Sequence, residues 1–170
     1  MTCEQEKLKE ILKEYEGVFP RNIVDICNKM GIDVQETEEF PDDVCGVIFK
    51  ENKDYIILVN KKHSIGRRSF TIAHELGHYV LHKDILDSKN ELISYTKSNG
   101  EDVSVLARGV EYNTRETEAN NFAAEILMPE KEFLSKCECS NDIEEVAHYF
   151  AVSTSAASVR ASKLGGWYFL

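Results

Sequence analysis

The sequence predicts an α+β fold in which a small antiparallel-containing sheet packs on a long helix and two short helices close the chain. Three observations predict it. Apolar residues recur at helical spacing through residues 8–30, two β-branched and aromatic runs follow at 44–49 and 55–59, and helical spacing returns from Arg67 and again from Asn113. A chain of 170 residues with 42% apolar content can bury one core. The expected organisation is a core of residues 1–136 with a small helical segment, residues 137–170, packed on it.

The first helix is read from Leu8, Ile11, Leu12 and Tyr15 among Lys and Glu, with Gly17 as its stop before Pro20. Asn22 caps a second helix through Ile23, Ile26, Cys27 and Met30, and Gly31 supplies a left-handed C-terminal cap. The acidic, proline-broken stretch Glu36 to Asp43 then gives way to Val44–Phe49 and Tyr55–Val59, an antiparallel hairpin with a polar tip at Lys50 to Asp54. From Arg67 to about His82, Phe70, Ala73, Leu76, Gly77, Val80 and Leu81 mark a third helix. Residues 83–113 are polar and weakly patterned, with one short apolar run, Val103 to Leu106, that reads as a strand. Asn113 with Glu116 three residues on resembles a capping box, opening a helix through Phe122, Ala123, Ile126 and Leu127 that Pro129 stops. Pro129 then suits the first turn of a short helix with Phe133 and Leu134.

Charge and cysteine usage narrow the function classes. Thirty acidic against twenty basic residues give a formal charge of −10, which disfavours a partner held mainly through phosphate. The start has no apolar run behind a basic stretch, and nowhere do eighteen apolar residues follow one another, so the reading is a cytoplasmic, unexported protein with no membrane partner. Five scattered cysteines, with only Cys137 and Cys139 close together, read as ordinary reduced thiols.

His74-Glu75-Leu76-Gly77-His78 is a His-Glu-x-x-His pattern inside a segment already helical by its apolar spacing. Residues four apart on a helix share a face with about 6 Å of rise, so both imidazoles can address one cation. Glu75 lies about 100° round the helix, placed to act on a water at that cation without ligating it. Two unrelated surface histidines are the bland alternative, but five histidines scattered in a chain seldom produce this pattern in a helix of the right phase. His82 is about 12 Å along the axis from His74, too far to share an ion, and reads as a helix C-terminal residue. A third ligand is needed, and Glu116, Glu118 and Glu125 on the next long helix are the options. With Glu116 assigned to capping and Glu125 to a later, core-adjacent turn, position makes Glu118 the first choice without closing the question.

The run Arg68-Ser69-Phe70-Thr71-Ile72-Ala73-His74-Glu75-Leu76-Gly77-His78, followed by Glu118-Ala119-Asn120-Asn121-Phe122-Ala123-Ala124-Glu125-Ile126-Leu127-Met128-Pro129, closely resembles the ImmA/IrrE family of metallo-endopeptidases, from about Ile23 to the C-terminus. The resemblance implies a minimal zincin-like metalloprotease fold with the sheet beside the active-site helix. It implies one Zn2+ ion held by His74, His78 and Glu118, the glutamate just before an Ala-Asn pair, with Glu75 as the catalytic base and acid. It also implies a protein substrate, a helix-turn-helix repressor of the Xre type, cut to derepress mobile-element or stress genes. Tyr79, Tyr95, Tyr112, Arg108 and His148 are open as oxyanion donors. Asn121 is either an orienter of a ligand or a surface amide.

Asp142 to Phe150 and the stretch through Val159 to Leu164 have the shape of a helix-turn-helix, yet the second helix offers only Arg160 and Lys163 as charge and the first carries Asp142, Glu144 and Glu145. Protein docking is favoured over DNA reading. The competing function class is a non-catalytic, antitoxin-like regulator that works by binding DNA, a repressor or a toxin.

Overall fold

A computed structural model of the chain describes residues 1–88, 94–97, 110–140 and 142–165. The order is α1 (Cys3–Lys13), α2 (Ile23–Met30), β1 (Ile32–Thr37), β2 (Val44–Glu51), β3 (Asp54–Asn60), α3 (Ile65–Leu81), α4 (Lys83–Ser88), β4 (Ser94–Lys97), α5 (Val110–Leu127), α6 (Glu130–Cys139), α7 (Ile143–Phe150) and α8 (Thr154–Lys163). The fold is α+β, as the sequence predicts, and the Val103 to Leu106 run lies outside the described residues.

Local chemistry accounts for the helix ends. Asn22 and Ser64 accept from the backbone N–H groups three residues on and so open α2 and α3; Thr2 and Gln5 form a reciprocal capping box on α1. Gly31 ends α2 at φ 86°, in the left-handed region that costs glycine little. Asp142 and Ser153 cap α7 and α8.

The sheet has four strands in the order β1-β3-β2-β4. The hairpin β2–β3 is antiparallel with Ile48 opposite Ile57, and β4 pairs antiparallel with the other edge of β2. Strand β1 was not expected. It runs parallel to β3 with Ile32 opposite Tyr55, and its only apolar residues, Ile32 and Val34, alternate with Asp33 and Gln35, the pattern of an edge strand with one covered face. Tyr55, Ile57 and Val59 of β3 share a face with Ile48 and Ile32 and enter the main core.

Helix α3 lies against β2 and β3, and ten consecutive residues from Thr71 to Val80 are buried. Over that stretch the helix is internal, while its first turn, with Ile65 69% exposed, meets solvent. Gly46 sets its approach to the sheet, since a Cβ there would sit 2.6 Å from Thr71 Cγ2 and 3.0 Å from the Leu58 carbonyl oxygen. The same core cluster continues through Phe133 and Cys137 of α6 into Val146, Phe150, Ala157 and Ala161. All five cysteines are free, and among the described residues no helix is long and apolar enough to cross a membrane.

Candidate metal centre

The third and fourth turns of a largely buried helix are an unusual place for His, Glu and His, because each polar group taken from water needs a partner. His74 is 1% exposed and Glu75 fully buried. Facing them is α5, drawn close by small residues. A Cβ on Gly77 would lie 3.3 Å from the Ala119 Cα and 3.0 Å from Phe122 Cδ1, so the missing side chain is what admits α5.

That approach brings Glu116 to the imidazoles. Its Oε2 lies 3.2 Å from His74 Nε2 and its Oε1 lies 3.2 Å from His78 Nε2, while the two Nε2 atoms are 3.0 Å apart. Four-coordinate zinc with bonds of about 2.0–2.1 Å holds its donors about 3.3 Å apart. Each of these separations is close to that spacing, with the carboxylate meeting one imidazole through each of its oxygens. Their chemistry fits as well: Asn120 Oδ1 lies 3.0 Å from His74 Nδ1 and takes the ring proton there, so His74 Nε2 presents a lone pair to the other donors. His74, His78 and Glu116 are the group among the described residues that could hold a metal ion.

Glu118 is not in this cluster, and the expected ligand set is corrected accordingly. Its side chain is half exposed and its Oε2 lies 2.8 Å from His82 Nε2. The reason is helical phase: two residues turn the side chain by about 200°, so Glu116 and Glu118 cannot face the same point. The capping duty assigned to Glu116 also falls away, because α5 begins at Val110 and Asn113 already lies within it.

His82 is the C-cap of α3, its backbone N–H donating to the His78 carbonyl. Its ring does more than end a helix. His82 Nδ1 is 3.2 Å from His78 Nδ1, and burial holds the ring below the usual histidine range against the upward pull of Glu118. Asn121 is the surface amide of the two alternatives, accepting from Lys163 at 2.7 Å, and its neighbour Asn120 is the residue that meets the His74 ring. Counting back in helical steps from the buried Ala123 through Asn120 and Ala119 to Glu116 would have found this face.

Of the candidate oxyanion donors, Tyr79 is buried edge-on against Tyr55 at 4.8 Å, and His148 lines a surface cleft with Lys136 and Tyr149. Arg108 and the side chains of Tyr95 and Tyr112 lie outside the described residues.

Residues 27–162 match the family model described as peptidase M78, the IrrE N-terminal-like domain. The chain belongs to that family. The resemblance to ImmA/IrrE metallopeptidases therefore holds over most of the sequence, and the His74, His78 and Glu116 group sits inside the matched span. Among solved structures, a protein described as a Mycobacterium tuberculosis transcriptional regulator superposes on this chain with a TM-score of 0.61 at 20% identity, over 94% of this chain and 46% of that one. At that identity the likeness is one of fold, and this chain spans under half the length of that protein. A search of curated proteins gives no match.

Proposed function

We propose that this M78 peptidase is a zinc-dependent endopeptidase whose metal ligands are His74, His78 and Glu116 and whose base is Glu75. The observation that carries the reading is the convergence of two imidazole nitrogens and a carboxylate at mutual distances of 3.0–3.2 Å, next in sequence to a fully buried glutamate. Zinc bound by such a set supplies an activated water and polarises a peptide carbonyl. The protein's own groups do the rest. Glu75 accepts a proton from the attacking water as its oxygen bonds to the carbonyl carbon, and returns that proton to the nitrogen as the C–N bond breaks, leaving a carboxylic acid, which keeps the second water proton, and an amine. Asn120 holds the His74 ring in the orientation the ligand set requires.

The substrate we infer is a helix-turn-helix transcriptional repressor of the Xre type. This rests on the family resemblance, and the formal charge of −10 suits a basic, DNA-binding substrate. DNA itself is disfavoured as a ligand because both cations of α8 are engaged within the protein: Arg160 with Glu125 and the Met128 carbonyl, Lys163 with Asn121.

The test is to incubate zinc-loaded protein with a helix-turn-helix repressor of the Xre type, taken from the neighbouring gene where one is encoded there, and map any new terminus by mass spectrometry. Cleavage by wild type, reduced about 10²–10⁴-fold in Glu75→Gln with zinc still stoichiometric, is the expected result. Intact repressor with both proteins, alongside an unchanged regulatory output in cells carrying Glu75→Gln, would favour the binding-only class instead.

A further inference from the structure

We propose that Glu118 and His82 form a two-step positioning relay that fixes the tautomer and direction of the His78 imidazole. The inference rests on His78 being a ligand through Nε2, as read above. Glu118 lies outside the ligand set, yet it and the helix-capping histidine make an unbroken chain to it: Glu118 Oε2 to His82 Nε2 at 2.8 Å, then His82 Nδ1 to His78 Nδ1 at 3.2 Å.

The direction of each bond follows from what each group can offer. A carboxylate only accepts, so the His82 ring proton sits on Nε2 and is donated to Glu118. His82 Nδ1 is then a lone pair. Two ring nitrogens at 3.2 Å share one proton, and with His82 accepting, His78 must donate from Nδ1. An imidazole with its proton on Nδ1 presents a bare Nε2, the atom that faces His74 Nε2 and Glu116. A partner on the far nitrogen also stops the ring turning about its χ2 axis and raises the basicity of the ligating one.

The two histidines are therefore set by different means. His74 is held by one step from an amide on α5, at Asn120; His78 is held by two steps that end on a half-exposed carboxylate of the same helix. Helix α5 thus supplies a ligand from one face and, through Asn120 and Glu118, the orientation of both imidazoles.

The experiment measures zinc dissociation constants by chelator competition, together with the ring 15N shifts of His78 in metal-free protein, for wild type, His82→Phe, Glu118→Ala, Glu118→Gln and Glu116→Ala. The relay predicts zinc binding weaker by about 10–100-fold in His82→Phe, a smaller loss in Glu118→Ala, and recovery in Glu118→Gln, whose amide oxygen still accepts. It also predicts that wild-type His78 is protonated on Nδ1 alone and becomes a mixture of tautomers in His82→Phe and Glu118→Ala. Because Glu118 is half exposed, its variants keep the test decisive should His82→Phe fail to fold. Wild-type affinity and wild-type 15N shifts in both Glu118→Ala and His82→Phe would overturn the relay. Loss of zinc in Glu118→Ala as complete as in Glu116→Ala would overturn it in favour of direct ligation by Glu118. If wild type takes up no zinc, the peptidase reading fails, and the metal-free 15N shifts still decide the relay.

Discussion

The α3–α5 seam and the α7–α8 pair are both helix-on-helix contacts in one core, but they are held together by different physics. At the seam Gly77 closes on Ala119 and Phe122, and beside that contact the buried His74 and His78 of α3 meet Glu116 of α5. Around α7 and α8 the contacts are Phe133, Val146, Phe150, Ala157 and Ala161, with Phe150 edge-on to Phe19 at 5.1 Å and tilted against Phe133 at 5.7 Å. Small residues at the seam give little apolar area, and its buried polar groups are stabilising only when all are satisfied. On the function proposed above, the seam reaches its full strength only with a cation bound, while the α7–α8 contact does not depend on one.

The largest effect should come from the apolar side. Phe150→Ala removes a ring that is 1% exposed and should lower stability by about 3–5 kcal/mol, by the same amount with and without a chelator, as denaturant unfolding would report. A chelator-dependent loss would erase the contrast. Next is the seam. Zinc at about 100 times its dissociation constant should stabilise wild type by about 2.7 kcal/mol, and Glu116→Ala should lose most of that gain, read as a zinc-dependent shift in melting temperature. An equal shift in the variant would show that Glu116 holds no metal. Smallest in stability is Gly77→Ala. The gain in helix propensity, about 1 kcal/mol, opposes an overpacking cost of about 1–3 kcal/mol against Ala119 and Phe122, so the net loss is at most about 2 kcal/mol. Its zinc affinity should fall even so, because the added methyl pushes α5 and Glu116 away from the imidazoles.

The same contrast explains what could be read in the sequence. The hairpin, the caps at Asn22 and Asp142, and the helical frame of His74, Glu75 and His78 are local patterns, in which one residue answers another within a few positions. The third donor is not local. Glu116 and Glu118 are two residues apart on one helix, and only the way α5 rolls onto α3 decides which points inward. The large residues Phe122, Ile126 and Leu127 suggest the roll, but Gly77 against Ala119 sets it, and small residues carry a weak hydrophobic signal. A capping box at Asn113 would give Glu116 another task, but α5 already begins at Val110. Strand β1 was missed for a related reason, since two alternating apolar residues become a strand only beside the β3 edge they pair with.

Arg160, 8% exposed, donates through Nε to the Met128 carbonyl at 3.0 Å and also meets the Glu125 carboxylate. A chain cut at the joint between α6 and α7 would therefore lose more than two peripheral helices: a carbonyl at the tail of the helix that carries Glu116 would be stripped of its donor, and Phe133 would be laid open to solvent. Shortened versions of this protein should therefore keep α7 and α8.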